Sequence, residues 1–325
     1  MNAPILALAL LLFQAVPAAK ETPPSELTQG VQLFESGRFE EARAFFETFA
    51  AGNPKSAAAA FYLGQISLTL KQPDKAVGWL EKAVVLDPEN SDLHRWLARA
   101  YGVAAGQANE VARVRYARDA KAELDKAVRL DPRNLRAHED LAEFYLRSPE
   151  FLGGSLDKAR GEAEAVRKID PVAGHMILAN IHFARKDNAK AEEEYKAAIQ
   201  EVPKDNRPRI ALGFLYQAQQ RWEDAFGIFE EALKNDPENW NALYQVGKTA
   251  ALSGQRLDRG EECLKKYLTY TPKGDAPPLA GAWFRLAMVY EKKGDKPKAA
   301  EAYRKSLELD PSNAEVRQGL ERVSG

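Results

Sequence analysis

Few side chains in this 325-residue sequence are chemically versatile: four histidines, His94, His138, His175 and His182, and one cysteine, Cys263. Histidine and cysteine are common zinc ligands, and histidine is the commonest general acid or base. No H-E-x-x-H pair, G-x-S-x-G elbow or dinucleotide fingerprint accompanies them, and GGSLDK at 153–158 lacks the G-x₄-G-K-[ST] spacing of a phosphate loop. Position also argues against metal. His94, His138 and His175 each stand three residues before a leucine (Leu97, Leu141, Leu178), where Trp283 stands before Leu286. His182 takes a place held elsewhere by Tyr101, Tyr145 and Tyr216. All four read as substitutes for packing aromatics, on helices too far apart for bonds of about 2 Å to be shared. No catalytic residue, metal or cofactor is expected. A single cysteine excludes an intramolecular disulfide, and Cys263 reads as a small buried hydrophobe in a helix.

What positions these residues is a repeat. The ending AVVLDPEN (83–90) returns as AVRLDPRN (127–134), ALKNDPEN (232–239) and SLELDPSN (306–313). Aligned prolines fall at Pro54, Pro88, Pro132, Pro171, Pro203, Pro237, Pro272 and Pro311, at intervals of 34, 44, 39, 32, 34, 35 and 39 residues. Twelve residues before each proline the side chain is small: Ala42, Ala76, Ala120, Ala159, Ala191, Ala225, Gly260 and Ala299. Eight before, all but Ala163 are large and apolar or aromatic: Phe46, Leu80, Leu124, Tyr195, Phe229, Leu264 and Tyr303. The two positions are one helical turn apart and share a face.

An earlier helix carries LARAY (97–101), LAEFY (141–145), LGFLY (212–216) or LAMVY (286–290) in four units, LG and VG recur at 63–64 and 246–247, and Trp283 completes W-x-x-L-A-x-x-Y. This pattern resembles the tetratricopeptide repeat, W-x₂-L-G-x₂-Y…A-x₃-F…P, over roughly 24–312. The resemblance implies an all-α, right-handed superhelical solenoid of about eight helix–turn–helix repeats. Residues 313–325, with Val316, Leu320 and Val323 facing inward, read as a C-terminal capping helix. Each Asp-Pro ends a second helix, since proline disfavours helix in its predecessor. The following Asn or Ser (Asn90-Ser91, Asn134, Ser312-Asn313) is placed to cap the next helix. Gly37, Gly254 and Gly294 fall at turns where positive φ is useful.

Unit three carries ten extra residues within 102–124 and unit four about five within 147–159, both between the two helices of their units. They should lie side by side. They are either longer helices plus a Gly-Gly turn, or a partner-recognising protrusion carrying Arg113, Arg115, Arg118, Phe151 and Leu152. Unit five is two residues short, with its first helix expected near Ala173. In unit seven Gly260 replaces the usual alanine and suggests a softer joint.

In proteins that this chain resembles, first helices line a concave groove that receives a peptide. The resemblance therefore implies groove positions Phe61 and Gln65, Arg95 and Arg99, Glu139 and Glu143, Met176 and Asn180, Ile210 and Phe214, Tyr244 and Lys248, and Phe284 and Met288. The C-terminal half is apolar and aromatic, suiting an amphipathic helix or an extended hydrophobic segment. The arginine and glutamate pairs offer either a recognition site or a salt-bridge ladder between units three and four. The Lys/Asn clamp that some relatives use for a terminal carboxylate is not visible.

A formal net charge of −1 gives no global field for nucleic acid, so none is expected as partner. Residues 1–19, with the apolar run ILALALLLF (5–13) and Val16-Pro17-Ala18, read as a cleaved signal peptide, so the chain is expected to be exported, periplasmic or secreted. Membrane contact is expected only if that segment stays attached. The leading reading is a non-enzymatic scaffold holding a segment of another protein in the groove. The alternative is an accessory protein holding a small ligand for an envelope transport system, and a third is an enzyme with its site in the insertions.

Overall fold

The computed structural model describes residues 25–272 and 276–325; the expected signal peptide at 1–19 lies outside them. The described residues form α-helices and two short 3₁₀ turns, without strands. Their contacts divide the chain into two compact units, to Ile181 and from His182.

The first unit holds a 3₁₀ turn at Ser25–Leu27 and then α1 (Thr28–Glu35), α2 (Phe39–Gly52), α3 (Ala57–Thr69), α4 (Pro73–Leu86) and α5 (Ser91–Gln107). It continues with α6 (Glu110–Leu130), α7 (Leu135–Arg147), α8 (Leu156–Arg167) and α9 (Pro171–Ala184), within which the division falls. The second unit contains α10 (Asn188–Glu201), α11 (Arg207–Ala218), α12 (Trp222–Asn235), α13 (Trp240–Ser253), α14 (Leu257–Tyr267), α15 (Leu279–Lys293), α16 (Lys296–Leu309) and α17 (Ala314–Ser324). Within the units α1 pairs with α2, α3 with α4, α5 with α6, α7 with α8, α11 with α12, α13 with α14 and α15 with α16 as hairpins. Each hairpin leaves an apolar face that only the next can cover, which makes the fold an all-α solenoid.

The proline-aligned positions are the hairpin cores. All eight small residues and all eight residues four further on are buried. The Leu-Gly signature has a steric cause: a Cβ on Gly64 would lie 2.5 Å from Leu80, and one on Gly247 2.2 Å from Leu264. Glycine lets the first helix rest directly on the large side chain of the second. α17 closes the series against α15 and α16, with Val316, Gly319 and Val323 buried and Leu320 partly so.

Caps and turns follow the repeat with two corrections. The side chains of Asn90, Asn134, Asn239 and Asn313 accept from the next helix's first amides. Asparagine is the cap, whereas Ser91 donates instead to the Ala127 carbonyl, 2.9 Å away. The first helix of unit five, α9, starts at Pro171 rather than near Ala173. Asp170 accepts from the Ala173 amide at 3.0 Å, so proline serves as the first helical residue, where its missing N–H costs nothing. Gly37, Gly254 and Gly294 adopt φ of 77°, 78° and 79° as expected.

The ten extra residues of unit three are absorbed as length: α5 has 17 residues and α6 has 21, against 13 and 14 in α3 and α4. Those of unit four form a second 3₁₀ turn, Glu150–Leu152, followed by Gly153 at φ 95°. This turn packs on α6, so the two additions are neighbours.

Candidate functional site

In the first unit the first helix α3 meets α5 and α5 meets α7, while in the second α11 meets α13 and α13 meets α15. Closer approach on the first-helix side curves each stack, which makes that side the concave one. The expected groove residues divide between the units, with Phe61, Arg95, Arg99, Glu139, Glu143, Met176 and Asn180 in the first and the others in the second.

In the first unit the concave face is polar and internally paired. Arg95 is buried; its Nε donates to Asp92 at 3.1 Å and its Nη1 to Asp140 across the α5–α7 contact at 3.3 Å. Arg99 lies over the Trp96 ring, 4.7 Å from its centroid, in the field of Asp140 and Glu143. The glutamate pair is answered from its own helix: Arg136 donates to Glu139 at 2.9 Å, and Arg147 pairs with Glu143 at 2.9 Å. Burial pushes the Glu139 carboxyl up from its ordinary value, against the pull of Arg136. The expected Arg–Glu ladder is therefore replaced by one cross-helix bridge, Arg95–Asp140, flanked by pairs within α7. Sequence reading missed Asp140, one position from Glu139. Phe61 meets Trp96 edge-on with ring centroids 6.0 Å apart, and Met176 and Asn180 are half-buried on α9.

In the second unit the face is aromatic. Phe214 is 39% exposed, and its ring stands edge-on to Phe229. Ile210 and Tyr244 are buried, the latter with its ring 5.3 Å from Tyr267, so these two help to hold the fold. Phe284 and Met288 are half-buried on α15. Between them Arg285, not expected at the groove, lays its guanidinium 4.8 Å from the Phe284 centroid and donates from Nη1 to the Met288 sulfur at 3.2 Å. Lys248 is half-buried on α13; burial, and then the charge of Arg285, lowers its ammonium from the ordinary lysine value.

His94 and His138 correct their reading as aromatic substitutes. His138 is buried, with Nδ1 2.6 Å from a Glu162 oxygen and Nε2 3.0 Å from the Pro132 carbonyl. His94 repeats this arrangement with Glu123 and, at 2.9 Å, the Pro88 carbonyl. In both, the histidine stands six residues after the proline. At the same offset Arg209 donates to the Pro203 carbonyl at 2.8 Å and Arg317 to that of Pro311 at 3.2 Å. At these four prolines the position is thus a donor seat that ties the turn to the following helix, filled by imidazole or guanidinium. His182 pairs with Asp187 at 3.9 Å.

Cys263 is buried on α14, and burial pushes its thiol up to about 12, so it is a packing residue. Among the described residues no cluster of three or more His, Cys, Asp or Glu side chains is arranged to hold a metal, and no helix is long and apolar enough to cross a membrane. On the insertions Val111 is 83% and Phe151 73% exposed, while Arg113 caps α5 by donating to the Ala105 and Ala108 carbonyls.

Comparison with known proteins agrees with this architecture. Tetratricopeptide repeat patterns match residues 27–91, 153–206, 182–245 and 280–313, together more than half of the chain. Human protein O-mannosyl-transferase TMTC1 is 27% identical over 139 residues, 43% of this chain and 15% of that protein. Superkiller protein 3 of Schizosaccharomyces pombe is 26% identical over 137 residues, 42% of this chain and 10% of that protein. The chain thus spans only a small part of these relatives. Among solved structures, a thermophilic TPR protein of Thermus thermophilus aligns over 59% of this chain and 97% of its own, with TM-score 0.48 and 24% identity. A tetratricopeptide repeat protein of Parabacteroides merdae aligns over 83% of this chain and 99% of its own, with TM-score 0.45 and 14% identity. With repeat patterns matched in both units, the chain belongs to the tetratricopeptide repeat family.

Proposed function

We propose that this protein is a non-enzymatic interaction scaffold whose concave first-helix face holds a segment of another protein. The observation that carries this reading is the aromatic face of the second unit, where Phe214 remains 39% exposed beside half-buried Phe284 and Met288. Such side chains are commoner in contact surfaces than on solvent faces, and the flexible methionine adapts to different occupants. The leader-like residues 5–19 support a place outside the cytoplasm, which N-terminal sequencing of the secreted chain tests.

Site-specific photocrosslinking tests the groove. A photoreactive residue at Phe214 should capture one defined segment of a partner, mapped by mass spectrometry. The same residue at Val85, exposed on a second helix, should not. Equal capture at both sites would sink this reading.

A further inference from the structure

The second unit's concave face carries a charge that no described side chain compensates. In the first unit Asp140, the residue before Leu141 of α7, bridges to Arg95 and lies in the field of Arg99 on α5. Four repeats later the same register places Arg285 before Leu286 on α15, facing α13 with Tyr244 and Lys248 at the positions of Arg95 and Arg99. The repeat has put a cation where its counterpart has the acid.

Neighbouring side chains do not repair this. Among the described residues no carboxylate pairs with Arg285 or Lys248, whereas Arg259, Lys265, Lys293, Lys298 and Arg322 of the same unit each pair with one. Nε of Arg285 is buried without a hydrogen-bond acceptor, and Nη1 has only the Met288 sulfur, a weak one. A buried guanidinium N–H without a partner is costly, as is a half-buried ammonium beside a like charge. A carboxylate arriving between them would relieve both.

We infer that the concave face of α13 and α15 recognises an acidic–apolar peptide segment, with a Glu or Asp side chain of the segment accepting from Arg285 and Lys248 and an apolar neighbour seated on Phe284 and Met288. This rests on the scaffold reading and names the chemistry of its partner.

The test pans a phage library of random 16-residue peptides against the full chain, then measures affinities of enriched peptides made synthetically. Enriched sequences should share an acid within one helical turn of a large apolar residue. Changing that acid to Gln or Asn should weaken binding at least about tenfold, as expected for a desolvated charge pair. The double variant K248Q/R285Q, checked for unchanged helicity, should weaken the acidic peptide equally and become indifferent to the peptide's substitution. A charge-reversed K248E/R285E chain should select basic peptides. Enriched peptides without an acid, or ones unaffected by K248Q/R285Q, would overturn this inference while leaving a scaffold in place. Enrichment of no peptide at all would count against both.

Discussion

The imidazole of His138 bridges Glu162 on α8 and the Pro132 carbonyl, with an acceptor 2.6 Å from Nδ1 and another 3.0 Å from Nε2. A neutral ring has one N–H and can answer only one of them, whereas the imidazolium answers both. The hydrogen bond to Glu162 is the largest influence raising its pKa above the ordinary 6.5; burial opposes it, and Pro132 and Asp131 add to it. A raised folded value means stability that is full below about 6.5 and declines as pH climbs through the folded value. Urea unfolding should therefore show H138Q less stable than the parent by about 1–3 kcal/mol at pH 6, the range for a hydrogen bond to a charged group. That gap should narrow at pH 9. A constant gap would show that the ring acts through packing alone.

This pair also shows where sequence reading stopped. The period of the prolines, the small residue twelve before and the bulky residue eight before were enough for the hairpins, because close packing restricts residue type at those positions. The partner of a histidine was not legible. Glu123 and Glu162 each lie nine residues before the next proline on helices full of solvated acids, and nothing in their spacing marks them. Arg285 was hidden similarly: it adjoins Phe284 in sequence, but its significance appears only when α15 is laid beside α13 and compared with α7 beside α5. Pro171 was misplaced because proline both stops and starts helices, and only the Asp170 cap decides between them.

The turns between paired helices predict a gain in stability. Lys71, Lys186 and Gln220 adopt φ of 58°, 62° and 57°, each two residues before a second helix, where Gly37 and Gly294 stand in other hairpins. A left-handed conformation costs a side-chain-bearing residue about 1–2 kcal/mol, partly offset by glycine's freer unfolded chain. K71G and Q220G should each raise stability by about 0.5–1 kcal/mol in denaturant titrations, and G294A should lower it by about 1 kcal/mol. A loss in both glycine variants would contradict this account.

Gly213 and Phe229 form one of the two tightest glycine contacts in the second unit, since a Cβ on Gly213 would stand 2.2 Å from the ring. G213A should cost about 1–3 kcal/mol through overpacking. In an F229L background the added methyl meets a smaller side chain, so its cost should shrink. Equal costs in the two backgrounds, measured by a double-mutant cycle, would mean that the helices simply move apart.

Cys263 makes the last prediction, because its thiol reports on the opening of α14. Burial is the main reason its pKa is pushed up to about 12; Glu230 and Glu262 add to that effect, and Arg259 opposes it. At pH 8 the thiolate is then roughly one part in ten thousand, and the thiolate is the reacting species. An aromatic disulfide reagent should leave the folded chain almost unlabelled over minutes and react at once in denaturant. The slow folded-state rate should rise in G213A in proportion to its loss of stability if labelling needs the whole unit to unfold. It should stay unchanged if α14 opens alone, since Gly213 lies on α11 against α12, away from the cysteine's helix. Rapid labelling of a fully helical chain would show that the thiol is not enclosed.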